Sequence, residues 1–169
     1  DSITPKKPFS IALALTEKID TLVGFFGINQ KPTSSKDPYA LRRQALGIIK
    51  LLIDNNKEFK IKDLISYSTS MYRDQGFELS NNLSQKELIE FLIDRLRFYM
   101  KEKNIRNDII EASISSHGLD HMNKIYKKAL ILNNLIKKEI GEDVVTSYKR
   151  ASSLLESELK NSNLELSNT

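Results

Sequence analysis

Apolar residues return at helical spacing along almost the whole chain. Between about Phe9 and Val23, after Pro5 and Pro8, the positions Ile11, Leu15, Ile19 and Leu22, continued by Phe26, fall on one face of a helix. A second stripe is Leu41, Ala45, Ile48, Ile49 and Leu52. Asp37 before it offers a carboxylate oxygen to an orphan helix N–H, and Pro38 suits the first helical position, where a missing donor costs nothing. This predicts a helix from Pro38 to the polar cluster Asp54-Asn55-Asn56.

A third helix is predicted from Ile61 to Arg73, stopped by Gly76, with Phe77 to Leu83 as a loop. Ser84 followed three residues later by Glu87 forms a capping box, so a fourth helix runs from there to Lys103 on Leu88, Leu92, Leu96 and Tyr99, widened by Ile89, Phe91 and Met100. The cations Arg95, Arg97 and Lys101 fall off that stripe and are read as snorkelling over it. Asn107 or Asp108 caps a short helix ending at His117-Gly118. Leu119 to Ile140 carries Ile125, Ala129, Leu132 and Ile136 and closes at Gly141; a last helix from Glu142 presents Val144, Tyr148, Ala151 and Leu155, and frays past Lys160.

No stretch alternates with the period of a strand and no internal repeat is visible. The expected fold is all-α, an irregular helical bundle. Candidate boundaries at the Phe77 to Leu83 loop and at Gly141 divide the chain into 1–76, 77–141 and 142–169.

Composition narrows the chemistry. The 169 residues contain no cysteine and two histidines, which removes disulfides and thiolate metal sites. His117 and His121 have the four-residue spacing of a shared zinc on one helical face, but Gly118 lies between them and no third ligand is evident, so no metal is assigned. No apolar run reaches membrane-span length and no charged-then-apolar leader is present, so no membrane contact and a cytoplasmic setting are expected. The chain starts at DSITPKKP without an initiator Met and reads as a piece of a longer protein.

The formal charge of +4 is modest; its distribution says more. Basic residues gather between Lys31 and Lys50 and again between Lys124 and Arg150, while Glu156 to Glu165 is acidic on balance. In the loop Lys31-Pro32-Thr33-Ser34-Ser35-Lys36, hydroxyls, backbone N–H groups and ammonium groups converge on a helix N-terminus, where anions are favoured. Lys36, Tyr39, Arg43 and Lys50 lie off the apolar stripe of the following helix. The loop is not a Walker motif, since Gly24 and Gly27 stand at the wrong spacing from Lys31 and follow a helix rather than a strand. A polar surface loop and a solvated charge stripe are the plainer account.

At these residues the chain resembles a known family. The run IALALTEKIDTLVGFFGINQKPTSSKDPYALRRQALGIIKLL is similar to a block of the β subunit of the bacterial, heterotetrameric type of glycyl-tRNA synthetase, matching at Asp20 to Phe26, Pro32, Thr33, Ser35 to Pro38 and Ala40 to Arg43. FLIDRLRFYMKEKNIRNDIIEA, from Phe91 to Ala112, and Tyr148-Lys149-Arg150-Ala151-Ser152 resemble two further blocks, in family order. Ser34 stands where the family usually has Gly, Tyr39 replaces Phe, and Asn29 sits where a small residue is usual. A positive φ at Ser34 would strain it.

The resemblance implies an HD-type helical region up to about residue 76, a helical body to 141 and the entry to an anticodon-binding domain from 142. It also implies that the whole enzyme joins glycine to tRNA(Gly) with ATP and magnesium, the adenylate chemistry residing in a separate α subunit of a heterotetramer. No catalytic residue and no cofactor of this segment's own is then expected. The expected tRNA or α-subunit contacts are Lys31, Lys36, Tyr39, Arg42, Arg43, Lys50, Lys149 and Arg150. Two other readings stay open. One is an HD-type metal-dependent phosphohydrolase, for which Asp20 would be the distal ligand; its ordinary role is a cap or a partner of the basic loop. The other is a helical interaction module that meets no RNA.

Overall fold

A computed structural model describes residues 4–79, 85–115, 121–137, 141, 143–144 and 146–155. Six helices carry it: α1 (Pro8–Gly27), α2 (Leu41–Asp54), α3 (Ile61–Asp74), α4 (Gln85–Glu102), α5 (Asn107–Ser115) and α6 (Met122–Ile136). Residues 146–155 are also helical, and no strand occurs among the described residues. The fold is all-α. The chain divides into a unit Asp1–Ala129 and a unit Leu130–Thr169, the boundary falling within α6.

In the first unit α1 packs on α2 and α3, and α2 on α4. The stripes read from the sequence form this core: Ile11, Leu15, Ile19, Leu22 and Phe26 of α1, Leu41, Ala45, Ile48, Ile49 and Leu52 of α2, and Leu88, Leu92, Leu96 and Tyr99 of α4 are all buried. Each large apolar side chain so removed from water contributes about 1.5–3 kcal/mol before the entropy of ordering is set against it. Ile93, which the stripe did not include, is buried as well.

Four helices end in the same way, and the stops are local. After α1, α2, α3 and α4 comes a left-handed residue, Asn29, Asn56, Gly76 and Asn104 in turn, with φ of 59°, 52°, 79° and 58°. In each case the following N–H reaches back over the turn: Gln30 to the Phe25 carbonyl at 2.8 Å, Lys57 to Leu52 at 2.8 Å, Phe77 to Tyr72 at 3.0 Å and Ile105 to Met100 at 3.2 Å. These are Schellman closures, for which Gly and Asn are the suited residues because they reach the left-handed region at least cost. At Gly76 the closure also brings the Tyr72 and Phe77 rings edge to face, 5.9 Å apart.

Some expected ends move. Helix α1 extends to Gly27 rather than stopping near Val23. Helix α2 begins at Leu41 and not at Pro38, because Ala40 adopts a left-handed φ of 53° and separates the Asp37-Pro38-Tyr39 turn from the helix. Asp37 still caps the helix, from farther out: its two carboxylate oxygens accept from the N–H groups of Leu41 at 2.8 Å and Arg42 at 3.0 Å. Neither Asn107 nor Asp108 stands before α5; Asp108 lies in its first turn, accepts from the Ile109 N–H at 3.0 Å and pairs with Arg106 at 2.7 Å. The capping serine Ser84, the expected end at His117-Gly118, and Leu119 lie outside the described residues.

Arg97 does not snorkel. Its guanidinium bonds Glu111 of α5 at 3.0 Å and Asp94 of its own helix at 2.6 Å, cross-linking α4 to α5, and these bonds hold its pKa above the ordinary arginine value. In the second unit Gly141 is itself helical rather than a stop, and it is buried. A Cβ there would lie 2.2 Å from the Leu135 carbonyl oxygen, so only glycine fits against the end of α6.

Candidate functional site

The basic loop and the start of α2 are joined by contacts that turn part of the expected anion site inward. Thr33 and Lys36 close the loop on itself, the Thr33 N–H donating to the Lys36 carbonyl at 2.9 Å and the Lys36 N–H to the Thr33 hydroxyl at 3.2 Å. Ser34 does not take a positive φ; the left-handed residues of this region are Asn29 and Ala40. The serine at a glycine-favouring position therefore sits without the strain it was exposed to.

The helix N-terminus is already filled. The orphan N–H groups that favour an external anion at such an end are occupied at Leu41 and Arg42 by the Asp37 carboxylate. Arg42 bends back to the loop, donating to the Thr33 carbonyl oxygen and lying 4.0 Å from Asp37. Lys31 reaches the other way, to Glu87 of α4 at 2.7 Å, with its side chain 25% exposed. Tyr39 stacks on Phe25, ring centroids 4.2 Å apart, so one face of its ring is covered.

The remaining cations differ. Lys36, Arg43 and Lys50 are exposed, and their side chains make no hydrogen bond or ion pair among the described residues. Arg43 and Lys50 stand two turns apart on one side of α2, and Lys36 ends the loop that leads into it. Thus the structure separates the expected set: Lys31 and Arg42 brace the loop, whereas Lys36, Arg43 and Lys50 face solvent. The helical periodicity that grouped these residues is blind to a guanidinium folding back on a loop nine positions earlier. In the second unit Lys149 and Arg150 are both exposed on the helix 146–155.

Asp20, the candidate distal ligand of an HD site, meets hydroxyls rather than the basic loop. Its Oδ1 accepts from Ser68 Oγ at 3.0 Å and its Oδ2 from the Tyr72 phenol at 3.2 Å, tying α1 to α3. Desolvation by burial, and then the neighbouring Asp20 charge, push the Tyr72 pKa up. Sequence reasoning missed this pair, although Ser68 and Tyr72 stand four apart on one face of α3. His121 lies 3.2 Å from Glu58 through Nδ1, and His117 is outside the described residues. Among the described residues no group of three or more histidines or carboxylates is placed to hold a metal ion, and no helix is long and apolar enough to cross a membrane.

Comparison with known proteins finds relatives over most of the chain. Over 151 residues the chain is 38% identical to the glycine–tRNA ligase beta subunit of Ruegeria sp. (strain TM1040), covering 89% of this chain and 20% of that protein. It is 38% identical over 152 residues to the counterpart of Cereibacter sphaeroides (strain ATCC 17029 / ATH 2.4.9), covering 89% and 22%, and 36% identical over 152 residues to that of Clostridioides difficile (strain 630), covering 90% and 22%. The chain thus spans about a fifth of the length of these relatives. Residues 1–115, more than half of the chain, match the family described as glycyl-tRNA synthetase beta subunit, and the chain belongs to that family.

Proposed function

We propose that this chain is the part of a glycine–tRNA ligase β subunit that holds tRNA(Gly), through the outer side of α2 and the loop before it. The observation that carries the reading is the set of free cations there: Lys36, Arg43 and Lys50 are solvent-facing and have no intramolecular partner among the described residues. A cation held by a carboxylate of its own chain gains less from a phosphate than a free one, which releases condensed counterions from the nucleic acid on contact. Lys31 and Arg42 serve this face indirectly, by fixing the loop that carries Lys36. Lys149 and Arg150 supply a second contact on their own unit.

In the same reading the protein partner is the ligase α subunit, in a cytoplasmic heterotetramer. That chain uses ATP and magnesium for the adenylate step, and the segment 142–169 leads into an anticodon-binding domain. The part this reading gives the chain's own residues is binding and positioning.

The test is binding of the 169-residue chain and of a Lys36→Ala/Arg43→Ala/Lys50→Ala variant to tRNA(Gly) at two salt concentrations, followed by co-sedimentation of both with the α subunit. The expected result is weaker binding by the variant and a shallower salt dependence, by about one unit of slope for each cation removed. Equal affinity and equal slope would remove RNA from this face. Loss of α-subunit association by the same variant would then assign the face to the protein partner.

A further inference from the structure

Beside this face, the segment before α1, the body of α1 and the C-terminal half of α2 border a half-open cavity of about 230 Å³. That is several times the ~30 Å³ a water molecule occupies in the liquid. Its lining is apolar at Ala14 and Leu51, polar at Thr4 and cationic at Lys18 and Lys50, with Gly47 between the two lysines. No carboxylate lines it among the described residues, and two acids engage its rim: Glu17 pairs with Lys18 at 3.0 Å and Asp54 accepts from the Thr4 hydroxyl at 2.6 Å. Lys6 adds a third ammonium close by, donating to the Asp54 carbonyl at 2.9 Å, at the negative end of α2.

Gly47 is what lets the lysines gather. Arg43 and Lys50 lie one turn before and one turn after it on α2, so any side chain at 47 would stand between them. The Lys18 stem crosses from α1 over this gap: a Cβ on residue 47 would lie 2.9 Å from Lys18 Cε and 3.0 Å from Cδ. The Lys18 ammonium is held at the edge by Gln44 at 3.1 Å and by Glu17, which leaves one of its three donors. Among the described residues nothing takes the donors of the Lys50 ammonium. A helical glycine has no backbone need to be glycine here, since its φ is an ordinary helical one.

We propose that this cavity is a seat for a single phosphate group, bound by Lys50 and by the one remaining donor of Lys18, with Gly47 as its floor. The proposal rests on reading the outer side of α2 as a face for polyanions and adds to it a fixed register point: one backbone phosphate enters the cavity while Arg43 and Lys36 meet its neighbours along the strand. Ammonium groups suit this role because they bind phosphate as point charges from any direction.

The experiment follows backbone amides of the full chain by two-dimensional NMR during titration with inorganic pyrophosphate, and measures a short oligoribonucleotide by fluorescence anisotropy. The variants are Gly47→Ala, Lys18→Gln and Arg43→Ala. Gly47→Ala leaves every charge in place and favours the helix, so it fills the cavity without threatening the fold. The expected result is saturable shifts at Thr4, Lys18, Gly47 and Lys50, and pyrophosphate affinity about fivefold weaker in Gly47→Ala and Lys18→Gln. Arg43→Ala should weaken the oligoribonucleotide more than it weakens pyrophosphate.

Pyrophosphate shifts that never saturate, or that spread over all lysines equally in both Gly47→Ala and the parent, would overturn the cavity while leaving RNA binding by Arg43 intact. Saturable pyrophosphate binding at Gly47 with no oligoribonucleotide binding by any variant would keep the seat, remove RNA as the source of its phosphate and refute the wider reading instead.

Discussion

The ammonium of Lys31 lies 2.7 Å from the Glu87 carboxylate, joining the loop before α2 to the first turn of α4 across 56 residues of chain. A cation that sequence pattern places on a binding face is thereby a strut of the fold. The same holds for Arg42, which returns to the Thr33 carbonyl. Together they hold the loop from two sides, and this is why Lys36 has a defined place from which to meet a partner.

Lys31→Ala and the Lys36, Arg43 and Lys50 alanine variants should therefore fail in different assays. Lys31→Ala is expected to lower stability in urea by about 0.5–1 kcal/mol, the scale of a partly exposed ion pair. It should leave the salt slope of tRNA binding where it was. A slope change in Lys31→Ala equal to that of Arg43→Ala would return Lys31 to the binding face.

Asp20 offers a second separation of roles. Asp20→Ala leaves the Ser68 and Tyr72 hydroxyls without their carboxylate acceptor at the α1–α3 contact. The expected cost is about 1 kcal/mol, reduced to roughly half in Asp20→Asn, which keeps one acceptor oxygen. Calorimetric unfolding of the three proteins checks this. Unchanged stability in Asp20→Ala would show that the carboxylate serves something other than the helix contact.

Ala40 carries a left-handed φ of 53° immediately before α2. A Cβ in that region costs about 1–2 kcal/mol, while glycine's greater freedom in the unfolded chain returns part of the gain. Ala40→Gly should then stabilise the chain by about 0.5–1 kcal/mol in chemical denaturation. If it destabilises instead, contacts of the Ala40 methyl outweigh the backbone strain.

Alkaline pH should unfold the first unit through its tyrosines. Burial, and then the neighbouring Tyr126, push the Tyr99 phenol up to about 12, and Tyr72 is raised as well. A folded pKa above the unfolded value near 10 means that the neutral phenol is the form the fold favours. Its contribution is complete below pH 10 and is lost as the pH climbs through 12, amounting to about 2 kcal/mol for Tyr99 at the upper end. Tyr99→Phe keeps the ring and removes the titration, so its stability should fall less steeply between pH 10 and 12. Parallel curves for the two proteins would place the alkaline sensitivity elsewhere.

Much of the fold was legible in the chain. The buried faces of α1, α2 and α4 follow from periodicity because burying an apolar stripe is the strongest and least directional force available to a helix. Gly76 and Asn56 likewise announce their stops, since the left-handed closure is a local demand on one residue. The start of α2 was misjudged by three residues for a reason of the same kind: Asp37-Pro38 has the chemistry of a cap, and Asp37 does cap, but nothing in the letters reveals that Ala40 turns left-handed between them.

What the sequence by itself determined is the helical architecture, the apolar stripes that build its core, and the presence of a basic segment around a resembling family's loop. Only the tertiary structure decided which of those cations remain available. Lys31 and Arg42 find acceptors on α4 and in the loop, and Lys18 crosses to α2 because residue 47 has no side chain. Charge is written into the sequence, but whether a charge is already satisfied depends on what lies a few ångströms away in space, and that is set by how the helices pack.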